Sequence, residues 1–294
     1  MRDEPPNERM ADLFDRMERA VLVMAEKVRD GSTPTLDELA SAAAFSRYHF
    51  HRAFRLLTSE TPGETLRRLR AAHALAELAK GGTVTSAAFQ AGYGSSQALA
   101  KALKKLGAAP ASELKGDPER LGAAFETVEP PRPWEGAKPY LVIEAARTLP
   151  FEVLMRRHEG DPAALNGIYT ELFERAGGPE GVEAILGFAH GDEGFEPQTP
   201  EVFDAAIIPT TQGEAAMGST PQTTIREGTY VTARIVGNYD DLDQAIDHVV
   251  AVALISPGVS LADRPVMLHY LDDPEETAPA QQRADIYVAV TLQP

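Results

Sequence analysis

The sequence of 294 residues contains no cysteine. Disulfides, thiolate zinc sites, iron–sulfur clusters and cysteine nucleophiles are therefore excluded. That composition fits a reducing compartment, and a cytoplasmic location is expected. Tryptophan occurs once, at Trp134. Long apolar runs are missing as well. The longest is Val249–Ile255, far short of the roughly 20 residues that a membrane span needs. The start, MRDEPPNERM, is charged and has no apolar stretch, so no secretory signal is expected there. Positive charge is scarce, with 28 Lys and Arg against 44 Asp and Glu and a net charge of -16. Taken whole, this argues against nucleic acid, because phosphate binding needs local positive charge. Walker loops, the Rossmann glycine fingerprint and the nucleophile elbow are absent. The seven histidines are scattered, and His49 and His51 diverge on a helix, where a metal pair would want i, i+4 spacing. No metal, no cofactor and no catalytic residue is assigned.

What is present divides in two. Hydrophobic residues make up 43% of the chain, enough for each half to bury a core, and the length suggests about two domains. Residues 117–139 read DPERLGAAFETVEPPRPWEGAKP, and their five prolines predict a stiff, extended connector. The charge splits there: residues 1–116 carry a net +3 and residues 117–294 a net -19. The expected layout is a domain over 1–116, a linker over 117–139 and a domain over 140–294. The whole-chain charge thus conceals a mildly basic first half.

The first half reads as all helix. A charged amphipathic helix is expected over about 7–29. Thr35-x-x-Glu38 and Thr61-Pro62-x-Glu64 are capping boxes, and Ser46 stands where a further helix would be capped. Two units repeat. Phe45 to Pro62 and Tyr93 to Pro110 have the same spacing, and Leu66 and Leu114 each lie four residues beyond those prolines. Each unit is a short helix, a tight turn and a longer helix, which is a helix-turn-helix. The helix between them, about 61–80, spans roughly 30 Å, close to one turn of B-DNA at about 34 Å. The longer helix of the first unit carries Arg47, Arg52 and Arg55, and no acidic residue occurs from Ala40 to Ser59.

TLDELASAAAFSRYHFHRAFRLLTSETPGETLRRLR followed by GYGSSQALAKALKKLGAAPASEL resembles the paired helix-turn-helix domain of AraC/XylS-type transcription regulators. The resemblance implies that Ser46, Arg47, Tyr48, His51 and Arg52 face one major-groove segment and Ser95, Ser96, Gln97 and Lys101 a second. Arg52 has the chemistry for guanine and Gln97 for adenine. Lys104 and Lys105 suit phosphate. In the first turn Ala44 stands where the family pattern has glycine, and Leu99 and Leu103 stand where it has phenylalanine.

The second half is also duplicated. FEVLMRRHEG and TYVTARIVG read as strands ending in Gly160 and Gly237. Apolar residues follow each glycine at the same six offsets, from Leu165 to Ala176 and from Leu242 to Ala253, which is the stripe of a helix lying on a sheet. Two more strands follow in each copy. The expected fold class is therefore a multidomain chain: an all-α tandem helix-turn-helix domain, then an α+β domain of two pseudo-symmetric strand-helix-strand-strand repeats. A junction between repeats makes a cleft, the default ligand site.

GNYDDL, PVMLHYLDDPEE and RADIYVAV make this half similar to the GyrI-like (gyrase-inhibitor-like) effector-binding domain. The resemblance implies binding of small molecules, often cationic or aromatic. Leu268 stands where the family pattern often has a glutamate. Strand alternation puts Leu268 and Tyr270 on one face, and Asp285 with Tyr287 forms a carboxylate–aromatic pair able to receive a cation. These four are the expected ligand-binding residues.

The function expected is ligand-responsive transcription regulation, not catalysis. Its partners are double-stranded DNA, a small aromatic or cationic effector and RNA polymerase, with the chain a monomer or a homodimer. A sequestering interaction protein is the alternative, and a GyrI-like hydrolase stands behind it.

Overall fold

The computed structural model describes residues 6–128, 143–161, 164–192 and 201–292. Eight helices come first: α1 Pro6–Arg29, α2 Leu36–Ala42, α3 Arg47–Thr58, α4 Pro62–Ala79, α5 Val84–Gln90, α6 Ser96–Lys105, α7 Ala111–Leu114 and α8 Pro118–Thr127. Both capping boxes form, Thr35 with Glu38 and Thr61 with Glu64, and each satisfies two amides at a helix start. Ser46 occupies the N-cap of α3 but makes no capping hydrogen bond. Helices α2–α3 and α5–α6 are the two helix-turn-helix units, and α4 joins them. Phe50 and Phe54 of α3 are fully buried, and truncating either to alanine would cost about 3–5 kcal/mol.

The two turns are built differently. In the second unit the turn residue is Gly92, at φ +77. In the first it is Ala44, at φ 54, a left-handed conformation that costs an L-residue about 1–2 kcal/mol. Arg16 of α1 holds this turn. Its Nε donates to the Ala43 carbonyl at 2.8 Å, its Nη2 to that of Ala44, and its guanidinium lies 4.0 Å from the Phe45 ring centre. Ala44→Gly is expected to raise unfolding stability by about 1 kcal/mol in a denaturant titration.

Part of the segment read as an extended connector is helical. Asp117 caps α8 through the Arg120 amide, Pro118 occupies its first turn, and Leu121, Ala124 and Val128 pack into the second unit's core. Those three residues form an i, i+3, i+7 apolar stripe, which gives α8 a face to bury despite the prolines around it. Trp134 and the prolines from Pro130 to Pro139 lie outside the described residues.

Among the described residues, the second half forms a nine-stranded antiparallel sheet. Its strands are β1 Ile143–Thr148, β2 Phe151–Glu159, β3 Val182–Asp192, β4 Glu201–Pro209, β5 Thr223–Ile225, β6 Gly228–Val236, β7 Val259–Leu261, β8 Val266–Tyr270 and β9 Arg283–Leu292. Three helices accompany it: α9 Leu165–Arg175, α10 Thr211–Met217 and α11 Leu242–Ile255. The order is β1-β6-β9-β8-β3-β4-β2-β5, with β7 on β9. The repeats β2-α9-β3-β4 and β6-α11-β8-β9 meet where β3 pairs with β8. Strands β5 and β6 lie toward opposite ends of that order yet are joined by two residues, so the sheet is curled. The strands β1, β5 and β7 and the helix α10 extend the duplicated pattern.

The halves share a core. One apolar cluster runs from Leu13 and Met17 of α1 through Phe50 and Phe54 of α3 to Ile246, Val249 and Val250 of α11 and Ile286 of β9. Arg9 of α1 donates to the Leu254 carbonyl at 2.6 Å and to that of Val259. Thus α1, itself part of the first domain, also packs against the second.

Candidate functional site

At the junction of the repeats lies a cavity of about 970 Å³. Its floor is Leu268 and Tyr270 of β8 with Ile185 of β3. Leu268 is opposite Gly187 and Tyr270 opposite Ile185, so one face of the central strand pair supplies the floor. Helix α9 turns Leu165, Tyr169 and Phe173 toward it, and α11 contributes Leu242 and Ile246. This explains why α9 buries only part of its apolar stripe: the same residues line the cavity. Gly187 has no room for a side chain, since an added Cβ would come within 2.3 Å of the Phe203 ring.

Three tyrosines cluster there. The Tyr270 ring centre lies 5.1 Å from that of Tyr239 and 6.2 Å from that of Tyr169, both edge-on. The Tyr169 hydroxyl donates to the Leu186 carbonyl at 2.8 Å, and that of Tyr239 to the Arg283 carbonyl at 2.6 Å. Burial raises the pKa of all three phenols, so they stay neutral near pH 7. The rim is acidic, with Asp240, Asp243, Asp272, Asp273 and Glu275. Asp243 is paired with Arg52 and Asp272 with Arg283; the tyrosine cluster and the other carboxylates together suit an aromatic, positively charged molecule.

The remaining wall comes from the other domain. His51, Arg52 and Arg55 of α3 line the cavity. Arg52 is buried, and its Nη2 meets Asp243 Oδ1 at 3.0 Å while its Nη1 bonds Asp247 and donates to the Asp243 carbonyl at 3.1 Å. Arg55 Nη2 reaches the other Asp247 oxygen at 2.5 Å. Burial disfavours the Arg52 charge, but Asp247 and Asp243 outweigh it and leave its pKa raised. His49 is fully buried against the 262–264 backbone without a hydrogen bond of regular geometry, and its pKa falls to about 4 because of burial, then of Arg52. The Tyr48 ring lies 5.3 Å from that of His190, which bonds Asp204 at 2.6 Å. Arg157 grips the same carboxylate with two bonds, and Asp204 falls to about 2, its burial outweighed by His190 and Arg157.

The residues expected to meet DNA therefore differ in state. In the first unit Arg47 is exposed, Ser46 and Tyr48 are half-buried, and His51 and Arg52 are buried against the effector half. In the second unit Gln97 and Lys101 are exposed; Ser95 caps α6, and Ser96 donates to Gln97. Leu99 and Leu103 are fully buried, so they serve as core in place of the family's phenylalanines.

The four expected ligand residues do not converge. Leu268 and Tyr270 line the cavity; Asp285 and Tyr287 lie on the opposite face of the sheet. In the β8–β9 ladder Leu268 pairs with Ile286, while Tyr287 and Asp285 pair with Met267 and His269. Alternation fixed each pair's common face, but only the register shows that the pairs face apart. Asp285 is held there by Arg234 through two bonds of 2.7 Å, and Tyr287 packs edge-on against Tyr230.

Sequence reasoning did not find Asp243 and Asp247 as partners of α3. Their i, i+4 spacing was visible, but their match to Arg52 and Arg55 is a contact across about 190 residues. Tyr239 was legible only as part of GNYDDL. Among the described residues no histidine, aspartate and glutamate group is placed to hold a metal, and no helix is long and apolar enough to cross a membrane.

Residues 39–116 match the family model described as a helix-turn-helix domain, and residues 147–291 match the GyrI-like small molecule binding domain. The chain joins an AraC-type helix-turn-helix domain to a GyrI-like domain. Both are binding modules, and together they make this a transcription-regulation, DNA-binding type of chain. No curated protein matches the chain. Among solved structures, the EcmrR C-terminal domain is 14% identical with a TM-score of 0.43, covering 52% of this chain and 99% of its own. EcmrR in an EcmrR–DNA complex is 17% identical at TM-score 0.41, covering 52% and 58%. A hydrolase from Listeria innocua, lin2189, is 16% identical at 0.36, covering 51% and 91%. Likeness at this distance carries no function across. In the GyrI-like domain the cavity lies on the helix-bearing side of the sheet, and the helix-turn-helix domain closes its open wall.

Proposed function

We propose that the protein is a sequence-specific, cytoplasmic transcription regulator whose affinity for DNA is set by a small molecule in the cavity between the GyrI-like repeats. One observation carries this reading: three residues of the DNA-reading helix α3, namely His51, Arg52 and Arg55, form a wall of that cavity. An occupant would touch the DNA-binding element itself. The effector class that the lining favours is an aromatic cation, received by Tyr169, Tyr239 and Tyr270 and by the acidic rim. Leu268 makes the floor apolar and Asp285 faces away, so the rim supplies the charge complement.

On DNA, Arg47, Tyr48, His51 and Arg52 read the first groove, with Ser46 at the helix start. Gln97 and Lys101 contact the second, with Ser95 and Ser96 at the start of α6. The net +3 of residues 1–116 limits non-specific affinity, so base contacts carry much of the binding. Selection from random duplex DNA at about 0.15 M salt tests the proposal. Enrichment of one motif spanning two major-groove segments is expected. A pool that stays random through repeated rounds would refute it.

A further inference from the structure

Helix α3 is the element a helix-turn-helix of this type presents to the major groove, yet here its face is occupied. Asp243 and Asp247, one turn apart on α11, offer Arg52 two carboxylate oxygens and a backbone carbonyl, and offer Arg55 one more oxygen. A guanidinium seeks this kind of acceptor set on a guanine edge or on phosphates. The contact is partly removed from water: the Arg52 side chain is 10% exposed and that of Asp247 19%. His49 and Tyr48 on the same helix are covered by the 262–264 segment and by His190. Helix α6, by contrast, leaves Gln97 and Lys101 exposed.

We propose that α11 is a built-in competitor for DNA: Asp243 and Asp247 hold Arg52 and Arg55, and α3 enters a major groove only after the two domains part. This rests on the reading of α3 as a DNA-binding helix. The apparent affinity for DNA is then the intrinsic affinity multiplied by the open fraction. The cavity touches both sides of the contact, since Arg52, Arg55 and Asp243 all line it. By linkage, whatever steadies the closed arrangement weakens DNA binding, and DNA opens the cavity.

The test compares the wild-type chain with Asp243→Asn/Asp247→Asn on the selected DNA motif. Removing two negative charges helps DNA binding anywhere on the chain, so Glu180→Gln/Glu214→Gln, at exposed positions remote from α3, is the charge-matched control. The α11 variant is expected to bind roughly tenfold or more tightly than the control. Equal affinity of the two variants would overturn the proposal. Hydrogen exchange supplies a readout without DNA: amides of residues 49–55 exchange faster in the α11 variant while those of α6 keep their wild-type rates. Unchanged exchange over residues 49–55 would also overturn it. If no variant yields a motif at all, the DNA reading beneath it fails instead.

Discussion

Acidifying the protein from pH 6.5 to pH 4 should lower its stability by roughly 3 kcal/mol through one buried side chain, His49. Its pKa is about 4 in the folded chain, against about 6.5 when exposed, chiefly because burial disfavours the cation. Above pH 6.5 the imidazole is neutral in both states, so its contribution is complete. As the pH falls through 6.5, the unfolded or opened chain takes a proton that the closed chain refuses, and stability is lost. Below pH 4 both states are protonated and the loss ends. The groups facing His49 are Arg52 on its own helix and the Ala262 and Arg264 backbone opposite, and neither titrates in that window. His269, also lowered by burial, adds in the same direction. Asp204 acts lower: its stabilisation is present above pH 3.8 and is lost toward pH 2. Denaturant midpoints measured across pH 4–7 check this. A His49→Leu variant should keep a much flatter profile, and an unchanged slope would show that another group carries it.

The second large effect is a pair of opposite signs. Arg52→Ala and Asp247→Asn break the same ion pair, and both should loosen the contact between α3 and α11. Their effects on DNA should nevertheless diverge. Asp247→Asn removes one of the two carboxylates that hold Arg52 and the one that holds Arg55, while Asp243 remains, so it loosens the contact and strengthens binding. Arg52→Ala removes the proposed base contact, a loss expected to cost about 1–3 kcal/mol and to relax preference at one position of the motif. Release from α11 offsets part of that loss, so the affinity change understates the contact while the specificity change does not. Motif selection with each variant separates the two. If both variants shifted affinity the same way and left the motif intact, Arg52 would be a structural residue only.

Much of the architecture was legible in the sequence because it is local or repeated. Capping boxes, the matched spacing from Phe45 to Pro62 and Tyr93 to Pro110, and the six helix offsets after Gly160 and Gly237 each follow from short-range geometry. The α8 helix was hidden by the surrounding prolines. Strand parity paired Leu268 with Tyr270 and Asp285 with Tyr287, but which face each pair takes depends on the β8–β9 register, a relation between segments. The contact of Arg52 and Arg55 with Asp243 and Asp247 was hidden for the same reason. Their charges were evident as a basic helix and an acidic domain, and the split of +3 and -19 was consistent with the two halves meeting. That the meeting buries much of α3 is a property of the packed chain.

The absence of cysteine makes a direct measurement simple. Cysteines introduced at the exposed positions Asp37 on α2 and Glu174 on α9 would be the only thiols in the protein, so a spin label at each reports one interdomain distance. Pulsed electron resonance without DNA should give a narrow distribution matching the closed arrangement. With the selected duplex bound, the distribution should shift to a longer distance. A DNA complex that keeps the closed distance would contradict the claim that α3 is held by α11 until the domains part.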